Sequence, residues 1–323
     1  MNLPTHRPAG LSAVYLRLVL TALMWAGMFH VGQYAVAHMS PLAAAAWRFG
    51  LAALIFLPLV AWREGWSLDG LRRNALVLAV MAVVGVFGFN MGLFYGLQAT
   101  SAVNGALIVG VNPALTAVLA AFINRRLPSV AQVVGLMLGL AGVVVVVSHG
   151  SWATLASLHV ASGDALVLLG ALCWAIYTAL PQRFIKGLSS VQVAASTVTG
   201  GAVLMVAFAS VATTDLVQWP SWPMLAAIGF MGIFGSVLAY LWWNDGIKVV
   251  GPTQAAICMN FVPLFATLIG VLRGQHVGAA QWIGAALVVA GVLVSALWKK
   301  KPVDLAPAAG SQQGDAGQRL CKA

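Results

Sequence analysis

Apolar runs of about twenty residues, each closed by a short polar or Gly/Pro-containing break, follow one another along nearly the whole chain. Ten are read, at roughly 16–36, 41–61, 75–95, 103–123, 130–148, 164–182, 192–212, 222–243, 252–271 and 279–298. A helix needs about 20 mostly apolar residues to cross the hydrocarbon of a bilayer, and the runs have that length. Spanning strands would instead alternate in short segments. The pattern predicts an all-α fold: a polytopic integral membrane protein of ten transmembrane helices.

The pattern also repeats. Leu23-Met24-Trp25-Ala26 answers to Leu172-Cys173-Trp174-Ala175 at an offset of 149 residues, and Ala131-Gln132-Val133-Val134-Gly135 to Ala280-Gln281-Trp282-Ile283-Gly284 at the same offset. Asn112-Pro113 answers to Val262-Pro263 at 150. Five spans per half is an odd number, so the second half enters the membrane from the opposite face. A 5+5 inverted repeat follows, a plan that places a substrate site between the halves. The expected organisation is an amino-terminal segment 1–15, a five-helix repeat 16–148, a connection 149–163, a second five-helix repeat 164–298, and a basic, disordered tail 299–323.

Composition agrees with burial in lipid. Hydrophobic residues make up 61% of the chain and charged ones 7%, against roughly 25% charged in soluble domains. The net charge of +10 raises the question of nucleic acid, but its placement answers it. With the amino terminus in the cytoplasm, all 17 Lys and Arg except Arg48 and Arg273 fall on the inner side, as the positive-inside bias requires. Both termini are therefore expected inside, in a bacterial inner membrane, with the bilayer and a small-molecule substrate as partners, no nucleic acid, and a homodimer left open. The first apolar run is too long for a signal-peptide core. The three cysteines are scattered and suggest neither a disulfide framework nor a metal site, and no cofactor is implied. Glycines three or four apart (Gly92/Gly96, Gly135/Gly139/Gly142, Gly229/Gly232/Gly235, Gly270/Gly274) read as close helix contacts.

Several of these landmarks carry a resemblance. Trp25 and Trp174, Ser40-Pro41 with Trp47-Arg48-Phe49, Pro113 and Pro263, and Gln132/Gly135/Gly142 with Gln281/Gly284/Gly291 resemble the drug/metabolite transporter superfamily, in the form with two tandem EamA-type domains. The likeness covers roughly residues 15 to 298. It implies ten helices, a central cavity and export of small metabolites such as amino acids. One departure stands out: where the family often carries Gly-Glu before the fifth span of each half, this chain has Arg126 and Gln275.

Candidate site residues are polar or aromatic groups inside the spans. Arg48 reads either as an anchor for a carboxylate or phosphate, which a planar guanidinium suits, or as a structural tie between helices. His30, with Gln33 one turn on, reads as a proton relay or as a neutral imidazole bonded between helices. Pro113 and Pro263 interrupt corresponding spans, the cue for a mid-membrane cavity. Asn104, Ile108 and Asn112 lead to Pro113 along one helical face; Gln254 and Asn260 stand in the matching region. Trp174, Tyr177, Thr178 and Pro181 share a stripe of the sixth span, as do Phe87, Asn90 and Phe94 in the third. Trp242, Trp243 and Trp298, at span ends, read as interfacial anchors.

The expected function is a secondary transporter that exports small metabolites by alternating access. No carboxylate lies mid-span, which disfavours an antiporter of cationic drugs. A carrier of organic anions or phosphorylated sugars acting through Arg48 is the first rival. A membrane enzyme is the second, and the sequence offers no His-Glu-x-x-His, phosphate loop or Cys-x-x-Cys for it.

Overall fold

The computed structural model describes residues 11–125, 127, 129–148, 150–151, 162–259 and 261–297, apart from the side chains at 132, 147, 253, 254, 257, 292 and 295–297. Asn260, the Gln254 and Gln132 side chains, Arg126, Trp298, most of the 149–163 connection and the tail therefore lie outside the described residues. Every regular element among the described residues is helical.

Seven stretches are long and apolar enough to cross a membrane: α1 (Leu11–His38), α2 (Pro41–Arg63), α3 (Ala75–Leu97), the pair α4 and α5 within Ala102–Ile123, α7 (Ser162–Phe184), α8 (Ser190–Ala212) and α9 (Trp222–Val250). Helix α4 is Ala102–Val109 and α5 is Asn112–Ile123. Five further helices are α6 (Val130–Val147), α10 (Pro252–Cys258), α11 (Phe261–Leu272), α12 (Ala279–Leu297) and a short one at Leu68–Arg73 between α2 and α3.

Local chemistry sets the ends. Ser189 begins α8 with a capping box, its hydroxyl accepting from the Gln192 N–H while the Gln192 side chain accepts from the Ser189 N–H, so two orphan donors of the first turn are met. Ser101 caps α4 in the same way, accepting from the Asn104 N–H at 3.0 Å. Between α9 and α10 the chain turns through Gly251 at φ +84°, a conformation glycine adopts at little cost.

Two departures from straight helices matter for function. The α4–α5 break falls at 110–111, and Pro113 occupies the first turn of α5, where its missing N–H costs nothing. The expectation that Asn104 and Asn112 share one continuous helical face is therefore corrected: the helix breaks between them. Secondly, π-helical turns interrupt α3 at Met81–Gly88 and α9 at Ile233–Leu238. An i→i+5 turn inserts an extra residue and re-aims every side chain after it. Phe87 is half-buried and packs on Phe208 at 5.4 Å, while Asn90 and Phe94 are fully buried. The single stripe read for these three residues does not exist.

Contacts between the halves recur with the halves exchanged. A Cβ at Gly96 would press on Val167, and one at Gly246 on Leu18; Gly85 lies against Tyr177, and Gly235 against Met28. The partners in each pair of contacts are 149 or 150 residues apart in sequence. Helices α6 and α12 pack on one another through glycine, Gly142 on Gly284 and Gly291 on Gly135. Small residues let backbones touch where lipid gives helices no hydrophobic reason to associate. Other glycines read as packing contacts face open space instead: Gly229 and Gly274 have no atom within 4 Å of a built Cβ.

Helices α2 and α8 run side by side and are tied at both ends. The Ser40 N–H donates to Asp215 at 2.7 Å and the Ser40 hydroxyl to Thr213 at 3.0 Å. At the other end the Ser189 hydroxyl donates to Glu64, and Gln192 Nε2 donates to the Gly65 carbonyl at 3.0 Å. The core gathers between the halves, with Trp174, Trp243, Tyr177, Tyr240, Phe49 and Phe94 among its largest fully buried side chains.

Candidate functional site

The centre of this core is polar on one side only. Arg48, on the second turn of α2, is 2% exposed. Its Nε donates to the Ser236 hydroxyl at 2.8 Å, Nη1 to Asn90 Oδ1 at 2.9 Å and Nη2 to the Gly235 carbonyl at 3.2 Å. All three acceptors are uncharged, and no carboxylate is among them. The guanidinium also lies 4.5 Å from the Phe49 ring centroid and 5.8 Å from that of Phe94, within reach of a cation–π attraction.

The π turns supply these acceptors. Gly235 and Ser236 lie inside the π turn of α9, where the Gly235 carbonyl also accepts from Trp25 Nε1 at 3.1 Å. The Ser236 hydroxyl donates to the Met231 carbonyl at 3.1 Å, five residues back. Asn90, just past the π turn of α3, donates from Nδ2 to the Val86 carbonyl at 2.7 Å. Each acceptor is thus oriented by its own backbone bond, which pre-organises the cation. Arg48 neither snorkels nor pairs.

Around it stands an aromatic wall. Trp25 meets Trp174 edge-on at 5.2 Å, Trp174 stacks on Tyr177 at 4.9 Å, and Tyr240 meets both Trp174 and Tyr177 edge-on at 5.4 and 5.9 Å. Trp243, read as an interfacial anchor, is 1% exposed and lies 5.2 Å from Trp25. That reading is corrected: the π turn in α9 carries the residues after it inward. A cavity of about 30 Å³ remains between Arg48, Trp25, Phe89, Trp174 and Tyr240, room for about one water molecule.

Below Tyr177 the fold opens. A cavity of about 690 Å³ is bounded by Gln182, Ile185, Ser190, Asn244, Lys248 and Gly251 at the adjoining ends of α7, α8, α9 and α10. Asn244 separates it from the aromatic centre, donating to the Tyr177 hydroxyl at 3.1 Å and to the Tyr240 carbonyl at 2.8 Å. Tyr177 and Thr197 share a further contact between hydroxyls at 3.3 Å.

At the opposite end the halves are closed by hydrogen bonds. His30 Nε2 donates to the Ala266 carbonyl on α11 at 2.8 Å, leaving Nδ1 buried and without a partner. Gln281 Nε2 donates to Asn104 Oδ1 at 3.3 Å, and Gln33 to the Thr100 carbonyl at 3.4 Å. The Thr100 hydroxyl donates to the Asp164 carboxylate at 2.5 Å.

Trp25, Arg48, Asn90, Trp174 and Tyr177 are therefore brought together at the centre. His30 and Asn104 lie apart from it, on the closed side. Pro113 is buried in α5 and Pro263 in α11, and Val109 and Val262, beside these two interruptions, line the central cavity. Ser236, Tyr240, Trp243, Phe89 and Asn244 were not foreseen. Their one sequence signal is the pair Gly85-Val86-Phe87-Gly88 and Gly232-Ile233-Phe234-Gly235, which overlap the π turns.

Asn112 is an anomaly. It is fully buried, and neither its Oδ1 nor its Nδ2 has a hydrogen-bond partner. An unmet buried polar group costs about 1–3 kcal/mol, so Asn112→Leu is expected to raise the thermal midpoint in detergent. If the amide serves transport, the same variant loses exchange. A lowered midpoint would show that the amide is satisfied in the native protein.

A helical bundle with long lipid-length spans, a buried cation and an aromatic cavity at its centre, and a vestibule on one side defines the class of a multi-pass membrane transporter. Comparison with known proteins agrees. The EamA-like transporter family matches residues 12–148 and again 161–297, so the chain belongs to that family, as two tandem repeats. It is 38% identical over 284 residues to the uncharacterized transporter YyaM of Bacillus subtilis (strain 168), covering 87% of this chain and 93% of the relative. It is 25% identical to the uncharacterized inner membrane transporter YedA of Escherichia coli (strain K12), covering 86% and 88%. One solved crystal structure superposes with a TM-score of 0.66 at 22% identity, covering 88% of this chain and 98% of the other, a likeness of fold.

Proposed function

We propose that the chain is a ten-span secondary transporter that moves small metabolites bearing an anionic group by alternating access. The observation that carries this is Arg48: a buried cation on α2, held by neutral acceptors from α3 and α9, facing an aromatic cavity between the two repeats. A buried ion costs several kcal/mol, and an ionisable group at membrane depth marks a substrate path by default.

The exchanged contacts (Gly96 on Val167 with Gly246 on Leu18, Gly85 on Tyr177 with Gly235 on Met28) support repeats related by a two-fold axis in the membrane plane. Rocking about that axis would open the bonded end at His30 and Asn104 while closing the vestibule. Arg183, Lys186 and Lys248 stand near the vestibule, which supports a cytoplasmic position for it and for both termini. Export from a bacterial inner membrane fits that entry side and the printed location of YedA.

Counterflow in proteoliposomes tests the reading: saturable exchange of labelled against unlabelled solute is expected. Asn244→Leu, which removes the bonds to Tyr177 and Tyr240, is expected to change the exchange rate several-fold by unlatching the barrier, at little cost in expression. Unsaturable, gradient-driven flux through the wild type would instead describe a channel.

A further inference from the structure

Resting on the proposed transporter reading, we infer that the central site is built for a monoanionic carboxylate on a flat apolar body, and discriminates against zwitterions, cations and phosphate dianions. The argument is an inventory of unmet hydrogen-bonding groups. Arg48 has five N–H donors and spends three of them, leaving two without acceptors among the described residues. The Trp174 indole N–H, which lines the same cavity, is buried and without a partner; the Tyr240 hydroxyl is buried beside Asn90, whose Oδ1 Arg48 already engages, and makes no well-formed hydrogen bond of its own. The side-chain groups available to a ligand there are therefore two guanidinium N–H groups, an O–H and an N–H. The nearby acceptors, Asn90 Oδ1, the Ser236 hydroxyl and the Gly235 carbonyl, are already engaged by Arg48.

Such a set suits an oxyanion. Each unmet buried donor is a standing penalty that a carboxylate with its four lone-pair sites can remove. A carboxylate can take the guanidinium edge and still accept from Tyr240 or Trp174. A zwitterion would bring an ammonium into the same space, where no carboxylate among the cavity-lining residues receives it and the Arg48 charge repels it. A dianionic phosphate would meet one cation only. The body of the ligand is set by the walls: Trp25, Phe89 and Trp174 offer faces and edges at 5.1–5.2 Å from one another, the separations at which aromatic rings attract. In the present packing these rings fill the space, and an entering ring would exchange ring–ring contacts for ring–ligand contacts of the same kind. Tyr240 and Trp174 are then specificity-determining donors.

The test uses three probes that share one ring: phenylacetate, phenylalanine and phenethylamine. Equilibrium binding of each labelled compound to the full-length protein in detergent is measured beside counterflow in proteoliposomes. Phenylacetate is expected to bind saturably, phenylalanine at least about tenfold more weakly for want of a counter-charge, and phenethylamine not at all. Tyr240→Phe is expected to weaken phenylacetate about tenfold, as for a lost hydrogen bond to a charged group. Its thermal midpoint should change little, because that hydroxyl makes no well-formed hydrogen bond in the protein. Phenylalanine binding as tightly as phenylacetate, or phenylacetate indifferent to Tyr240→Phe, overturns the inference. Exchange of phenylalanine without phenylacetate binding overturns it too and leaves the transporter reading standing. Phenylacetate binding with the expected preference but no counterflow supports the inference and sinks the transporter reading.

Discussion

Arg48→Gln is expected to abolish saturable exchange while leaving a folded, monodisperse protein. The two halves of that result have separate causes. Transport fails because the cargo loses the one cation among the described residues that line the cavity; removing one partner of a desolvated, hydrogen-bonded charge pair costs about 2–5 kcal/mol, a loss of roughly 30-fold to more than 1,000-fold in affinity. The fold survives because a buried, unpaired ion is itself expensive. Replacing it with a neutral amide removes that desolvation penalty, and the glutamine amide can still donate to one of the acceptors, such as Asn90 Oδ1. Arg48→Lys distinguishes charge from shape: an ammonium keeps the charge but not the planar fork, so partial activity with weakened affinity is expected. Exchange by Arg48→Gln at the wild-type rate would show that the guanidinium only ties α2 to α3 and α9. Size-exclusion profile, thermal midpoint and counterflow together decide the matter.

Gly291→Val is expected to give the largest loss of stability of any single change considered. A Cβ at this position would lie 2.5 Å from the Gly135 carbonyl oxygen and 2.9 Å from the Gly139 nitrogen. These are backbone atoms, so no rotamer change relieves the overlap, and α6 must move away from α12 as a body. Overpacking at a well-packed contact costs about 1–3 kcal/mol and occasionally more; with backbone on both sides, the upper end or beyond is expected. The glycine contacts of Gly142 and Gly284 further along the crossing loosen with it. Gly229→Ala is the matched control, because that glycine faces open space, and it should leave the midpoint unchanged. The measurement is thermal unfolding in detergent with yield of monodisperse protein. A Gly291→Val variant that melts with the wild type would mean that this crossing is not a tight one in the membrane.

Much of this architecture is legible from residue order because lipid imposes a one-dimensional rule. Each span must satisfy its own backbone and present apolar side chains, so length and hydropathy mark the helices without reference to their neighbours. The halves are visible for a similar reason: Trp25 recurs as Trp174 and Pro113 as Pro263, at offsets of 149 and 150 residues. Arg48 and Asn90 are conspicuous because a polar group at membrane depth needs an explanation wherever it points. Glycine spacing, by contrast, is only half informative. It flags Gly135, Gly139 and Gly142, which meet Gly284 and Gly291 at the α6–α12 crossing, but it equally flags Gly229 and Gly274, which face open space.

What residue order determined, then, is a helical, lipid-embedded chain of two similar halves with a cation in its interior. What tertiary structure alone decided is which groups meet. The π turns in α3 and α9 add a residue to the helical register, and nothing in the apolar composition of those turns announces it. That extra residue turns Trp243 in, and it presents the Gly235 carbonyl to Arg48 and Trp25. The break before Asn112 likewise separates it from Asn104, and packing between halves joins Asn104 to Gln281 and His30 to the Ala266 carbonyl. Periodicity reads a face only while the helix keeps its 3.6-residue turn; where the turn changes, the contacts between helices determine the site.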